Sequence, residues 1–155
     1  MTREEAMLHR VYLGLGSNLG DRESLLRRAI ELIGERVGKV VRCSSLIETE
    51  PWGFESQYPF LNGVVLCQTA LTPRQLLEAT QQIERLLGKT REHATRRTAH
   101  CPQLSAHCYK DRPIDIDILL YDEATVDEPD LKIPHPLMHE RPFVMIPLNE
   151  LINNN

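Results

Sequence analysis

The stretch "RPIDIDILLYD", residues 112–122, constrains the fold of this chain more than any other. It is rich in isoleucine and leucine, as a buried strand is, yet it carries Asp115 and Asp117 one residue apart. A strand has a side-chain period of two, so both aspartates point to one face and Ile114, Ile116 and Ile118 to the other. At a rise of about 3.3 Å per residue the two Cβ atoms lie roughly 6 to 7 Å apart, within reach of a shared cation. Without a cation the carboxylates repel each other and resist burial. The fold must therefore offer this strand one apolar face to bury and one face where positive charge can arrive.

The rest of the chain supplies a sheet and helices. "VYLGLGS" (11–17) reads as a strand, and Gly20-Asp21 turns into "RESLLRRAIELIGERV", where Leu26, Ile30, Ile33 and Val37 recur at helical spacing. "KVVRCSSLIET" (39–49) reads as a second strand closed by the turn chemistry of "EPWGFESQYP", and "FLNGVVLCQT" (60–69) as a third. A second helix starts with Thr72 as N-cap, Pro73 at its first position and Gln75 completing a capping box, and Gly88 stops it. After a polar stretch, 89–111, comes the aspartate strand. The order βαββαβ predicts an α+β, ferredoxin-like sandwich: an antiparallel sheet with both helices on one face. Residues 123–151 are expected to form a small, proline-punctuated C-terminal extension.

At 155 residues the chain is expected to be a single domain, 1–155, with 89–111 as a mobile loop. Its net charge of −4 argues against a protein that coats nucleic acid. The first ten residues are polar and the apolar run from Val11 to Leu15 is too short for a signal or a span, so a cytoplasmic protein with no membrane partner is expected. Four cysteines in that setting do not suggest a disulfide framework, and Cys43 and Cys67 read as small core residues.

Several side chains invite a functional reading, each with a bland alternative. "GLGSNLG" has glycines at 14, 16 and 20, so the dinucleotide fingerprint fails at Leu19 and a tight strand-to-helix turn is expected. Glu84 falls on the helix stripe of Leu77, Thr80 and Leu87, an unusual place for a carboxylate unless it snorkels to the rim. Phe60, Asn62 and Val64 share a strand face, which sets an aromatic surface beside an amide and suits a flat heterocycle. A core phenylalanine and an edge asparagine would look the same. The basic residues Lys89, Arg91, Arg96, Arg97, Lys110 and Arg112 suit a polyphosphate, or simply a solvated charge run. "IPHPLMHERPFVMIPL" (133–148) places His135 between prolines and reads as a rigid connection with polar tips.

Taken together, "LGLGSNLGDR", "ETEPWG", "FLNGVV", "IE" at 83–84, "RPIDIDILLYD" and "IPHPLMHERPFVMIPL" resemble, in order, the 6-hydroxymethyl-7,8-dihydropterin pyrophosphokinases of folate biosynthesis. The resemblance implies transfer of pyrophosphate from ATP to the hydroxymethyl group of a reduced pterin, leaving AMP. It implies that Asp115 and Asp117 hold two Mg²⁺ ions on the ATP phosphates, with Arg112 and His135 also in the catalytic set. Phe60 and Phe143 would sandwich the pterin, Asn62 and the backbone from Thr49 to Gly53 would read its amide edge, and Trp52 would wall the pocket. On the ATP side it implies Arg112, His135, Arg141, Glu84 and Ile118, with Lys89 and Arg91 on a closing loop. ATP and the reduced pterin would be the partners of a monomer.

The chain departs from the family pattern in having Tyr109 and the longer insert "HCPQLSAHC", and Pro136 after His135. The pairs His100-Cys101 and His107-Cys108 are zinc-ligand types, but the spacing is not a usual zinc arrangement, so a lid without structural zinc is expected. Two other classes use similar elements. An RNA-binding sheet would display several aromatics on a basic face, which this chain lacks, and a two-metal phosphohydrolase would release phosphate rather than AMP.

Overall fold

A computed structural model describes residues 8–50, 58–88 and 113–153. In chain order the elements are β1 (His9–Ser17), α1 (Arg22–Arg36), β2 (Gly38–Cys43), β3 (Ile47–Thr49), β4 (Phe60–Thr69), α2 (Pro73–Leu86), β5 (Asp115–Tyr121), β6 (Val126–Glu128), β7 (Leu131–Ile133), a 3₁₀ turn (Met138–Glu140) and α3 (Pro142–Asn153). The main sheet runs β2-β4-β1-β5, every pair antiparallel, with β3 on the same edge of β4 as β2. β6 and β7 form a separate ribbon. This is the α+β arrangement that the βαββαβ order predicts.

Strand period two divides the sheet between two cores. Val11, Leu13 and Leu15 of β1, Cys67 of β4 and Ile116 of β5 pack with α1 and α2, where Leu26, Ile33, Leu76 and Ile83 are fully buried. Local signals start both helices. The Asp21 carboxylate accepts the Ser24 N–H at 3.2 Å. Thr72 Oγ1 accepts the Gln75 N–H at 3.2 Å while Gln75 Oε1 accepts the Thr72 N–H at 3.0 Å, the reciprocal pair expected of a capping box. Gly88, at φ +101°, follows the end of α2 in a conformation that favours glycine.

The opposite face carries a second core that was not expected. Residues read as a proline-punctuated connection instead form α3, whose Val144, Leu148 and Leu151 cover Val64, Leu66 and Leu119. Pro142 occupies the first helical position, where its missing N–H costs nothing. Pro147 lies inside the helix, a placement that costs about 3 kcal/mol in an exposed helix. The buried residues at i, i+4 and i+7 offset that cost through packing.

Two smaller expectations also change. The single strand over 39–49 is split, because Ser44 takes over its pairing: its N–H donates to Val64 O at 2.9 Å and its Oγ accepts the Val64 N–H at 2.8 Å. Cys67 is buried, with its thiol pushed up to about 11 by burial, but Cys43 sits on the exposed parity of the edge strand β2 and is no core residue.

β1 and β5 are closed at one end by Asp122, which adopts φ 49°. Its Oδ1 accepts the Arg10 N–H at 2.7 Å and its Oδ2 lies 2.7 Å from His9 Nδ1. Burial acts to raise the carboxyl, but the bonds from Arg10 and His9 outweigh it and hold the group below the usual carboxylate range. A depressed carboxyl stabilises the fold above its unfolded pKa of about 3.9, and that contribution is lost as pH falls through the lower folded value. Asp122→Asn, which keeps tolerance for positive φ, should cost about 0.5 to 1 kcal/mol at pH 7. Urea midpoints of mutant and wild type should converge as pH falls through that lowered folded value.

Candidate functional site

The site is built on the sheet face shared with α3. β1 contributes Gly14 and Gly16, which pair with Val64 and Asn62 on one side and with Asp117 and Asp115 on the other. The two glycines thus lie between an amide and a pair of carboxylates and leave an open strip between them. The space is needed: a Cβ on Gly16 would lie 2.9 Å from Asn62 Oδ1 and 3.6 Å from Phe60 Cδ1. A cleft opens above this strip, lined by Phe60, Asn62 and Phe143 on one side and by Asp115, Asp117 and Arg141 on the other.

On one side stand the carboxylates. Asp115 is buried at 6% exposure, and the Asp117 side chain is 17% exposed. Arg141, almost fully buried, places Nη1 3.7 Å from Asp117 Oδ2, and His135 Nε2 lies 3.9 Å from Asp117 Oδ1. His135 Nδ1 accepts the Leu137 N–H at 3.4 Å, so in the neutral ring the proton sits on Nε2, facing Asp117. Among the described residues lining the cleft, Asp115, Asp117 and Glu50 are acidic and Arg141 alone is basic. The oxygen donors of Asp115 and Asp117 are of the type a hard divalent cation such as Mg²⁺ takes, and among the described residues no third His, Cys, Asp or Glu groups with them as a metal-holding set.

Across the strip stands the aromatic side. Phe60 from β4 and Phe143 from the first turn of α3 both line the cleft. Asn62 Nδ2 donates to Thr49 Oγ1 at 2.7 Å, which fixes the amide and turns its Oδ1 toward Gly16. The Arg141 guanidinium carbon lies 5.6 Å from the centre of the Phe143 ring, so one side chain borders both halves of the cleft.

Seven of the residues singled out in the sequence thus meet at one cleft, Thr49 among them, with His135 adjoining it through Asp117. Two others are placed differently. Glu84 is buried on α2 beside Thr80 and Ile83, and its Oε2 accepts the Ile116 N–H at 2.8 Å, behind the acidic pair. Leu77 and Leu87 of its expected stripe are only half-buried. The Ile118 side chain packs in the α1/α2 core, on the face away from Asp117. Trp52, Gly53, Lys89, Arg91, Arg112 and the His-Cys pairs lie outside the described residues, as does the expected mobile loop, 89–111. Sequence reasoning missed Gly14 and Gly16 as the floor. Their spacing of two in an otherwise apolar strand was the available signal.

Comparison with known proteins shows the family of the chain. The family model described as 7,8-dihydro-6-hydroxymethylpterin-pyrophosphokinase (HPPK) matches residues 12–153. The chain is 49% identical over 142 residues to a 2-amino-4-hydroxy-6-hydroxymethyldihydropteridine pyrophosphokinase of Porphyromonas gingivalis, covering 91% of this chain and 89% of that one. It is 43% identical over 141 residues to the protein of the same name from Bacillus subtilis, covering 90% and 76%. Among solved structures it resembles wild-type Plasmodium falciparum HPPK-DHPS at a TM-score of 0.66 and 18% identity. That match covers 93% of this chain but 40% of the longer one, and it bears on the fold alone.

The floor can be tested without any ligand. Gly16→Ala should push the Asn62 amide off Thr49 and cost about 1 to 3 kcal/mol by overpacking, with the strands retained. The Asn62 side-chain NH₂ resonances should move in a ¹⁵N spectrum. Unmoved resonances would contradict the close contact.

Proposed function

The chain belongs to the 7,8-dihydro-6-hydroxymethylpterin-pyrophosphokinase family, and from that membership and its cleft we propose that it transfers pyrophosphate from ATP to 6-hydroxymethyl-7,8-dihydropterin in folate biosynthesis. The observation that carries the reading is the two-sided cleft, acidic on one side and aromatic with an amide on the other. A reaction between a metal-bound polyphosphate and a flat heterocycle needs the two bound side by side, with the reacting atoms about 3 to 3.5 Å apart.

Phe60 and Phe143 bound the ring, and Asn62, anchored by one amide hydrogen on Thr49, offers Oδ1 to an N–H on the heterocycle edge. Thr49, Trp52 and Gly53 complete the pterin side. Asp115 and Asp117 hold Mg²⁺, two ions in this reading, which supplies charge neutralisation at the ATP phosphates. Arg141, His135 and Arg112 face the nucleotide phosphates, joined by Lys89 and Arg91. Ile118 can contribute only its backbone, which shares the outward parity of Ile116 on β5. The pterin hydroxymethyl oxygen bonds to the β-phosphorus, the bond from that phosphorus to the α,β-bridging oxygen breaks, AMP departs and the hydroxyl proton is released.

The chain acts in this reading as one pyrophosphokinase domain, monomeric and cytoplasmic. No helix among the described residues is long and apolar enough to cross a membrane.

Incubation with ATP, Mg²⁺ and the reduced hydroxymethylpterin should yield AMP and pterin diphosphate in equal amounts, and free phosphate instead would refute the assignment. Asp117→Ala should lower kcat at least about a hundredfold while the fold persists, since the loss of one repelling carboxylate relieves the apo protein. Near-normal turnover in that variant would remove the metal role. Asn62→Ala should weaken pterin binding by about 1 to 3 kcal/mol and leave ATP binding unchanged in calorimetry. A fall in ATP affinity with pterin affinity preserved would mean that the two sides have been exchanged.

A further inference from the structure

We propose that Glu84 is a positioning residue, which holds the backbone between Asp115 and Asp117 so that both carboxylates project into the cleft together. The proposal rests on the metal role of that pair. β5 is an edge strand of the main sheet, bonded there to β1 alone. Leu15 faces Ile116 between the pairs Gly16 with Asp115 and Gly14 with Asp117. Antiparallel alternation then directs the Ile116 N–H away from β1, toward the open edge. There the Glu84 carboxylate receives it at 2.8 Å, in buried surroundings. Three residues on, the His135 N–H donates to Leu119 O at 3.1 Å along the strand. The outer edge of β5 is thus held at two points, and Glu84 takes the one between the aspartates.

The placement of Glu84 is costly unless it serves something. It stands in the last turn of α2, where the helix dipole disfavours a negative charge, and at 7% exposure it is withdrawn from water. A buried leucine would pack there without either cost but could not accept an N–H. The acceptor matters most at the end of an edge strand, because Asp115 is the first residue of β5 and strand ends fray. Two carboxylates that repel each other increase that tendency. An acceptor fixed on a helix, rather than on a loop, opposes it.

Wild type, Glu84→Gln and Glu84→Ala should be compared in two measurements: hydrogen exchange of the Ile116 amide in the protein without ligands, and kcat and KM for ATP with Mg²⁺. Glu84→Ala should speed Ile116 exchange by about a hundredfold and lower kcat at least about tenfold, with KM for ATP within about threefold. Glu84→Gln keeps an acceptor oxygen and should restore slow exchange and most of the turnover, with the Ile116 amide resonance shifted. If Glu84→Ala does not fold, Glu84→Gln decides: turnover lost despite slow exchange overturns the proposal. So does unchanged exchange in Glu84→Ala, faster exchange with kcat retained, or a raised KM for ATP at unchanged kcat. The exchange measurement uses neither metal nor substrate, so its outcome is separate from the test of the metal role in Asp117→Ala.

Discussion

Two carboxylates on one face of an edge strand set the terms for the structure around them. At about 6 to 7 Å in a setting of intermediate dielectric they repel by roughly 2 to 3 kcal/mol, before any desolvation. Arg141 answers part of this, buried and 3.7 Å from Asp117. Its cationic group is delivered by the residue preceding α3, whose C=O accepts the Val144 and Met145 N–H groups at 2.9 Å. The unexpected third helix is therefore more than a cover for apolar residues. It fixes the one basic side chain among the described residues of the cleft, and Phe143 two residues later.

The parity of the strands keeps the acidic face separate from the larger core. Val11, Leu13 and Leu15 of β1 and Ile116 and Ile118 of β5 pack under α1 and α2, while Gly14, Gly16, Asp115 and Asp117 share the other face. A register shift then skips Leu119, between the pairs Leu13 with Ile118 and Tyr12 with Leu120. Leu119 drops into the α3 core, while Ile118 and Tyr121 remain in the first. One strand thereby serves a reaction cleft at its start and an apolar core at its end, with no polar residue carried into that second core.

Much of this was legible in the residues, for identifiable reasons. The two helices on the first face carry local start signals, α2 also a stop at Gly88, and Thr72 with Gln75 forms the bonds its spacing predicts. Asp115 and Asp117 share a face because a strand allows nothing else. α3 was hidden because its two prolines, Pro142 and Pro147, speak locally against a helix, while Val144, Leu148 and Leu151 speak for one only when a sheet is there to receive them. Glycines 14 and 16 fall in the expected strand, but their role as a cleft floor is hidden because the absence of a side chain carries no signal until its neighbours on both sides are known. Glu84 was visible as an anomaly, but its partner is a backbone N–H, and no side-chain pattern reveals that.

Arg141 links the two halves of the cleft physically as well as by position. Its guanidinium lies within 3.7 Å of Asp117 and 5.6 Å from the centre of the Phe143 ring. A planar, delocalised cation can meet a carboxylate at its edge and an aromatic ring at its face, which a lysine ammonium cannot do with one geometry. Because Arg141 is also the hinge between the 3₁₀ turn and α3, its backbone accepts the first helical bonds while its side chain borders both halves. Any shift of α3 along the sheet would therefore move Phe143 and the charge beside Asp117 together. The α3 core that holds the helix in register, Val144, Leu148 and Leu151 on Val64, Leu66 and Leu119, is thus what keeps the aromatic wall and the acidic pair in a constant relation.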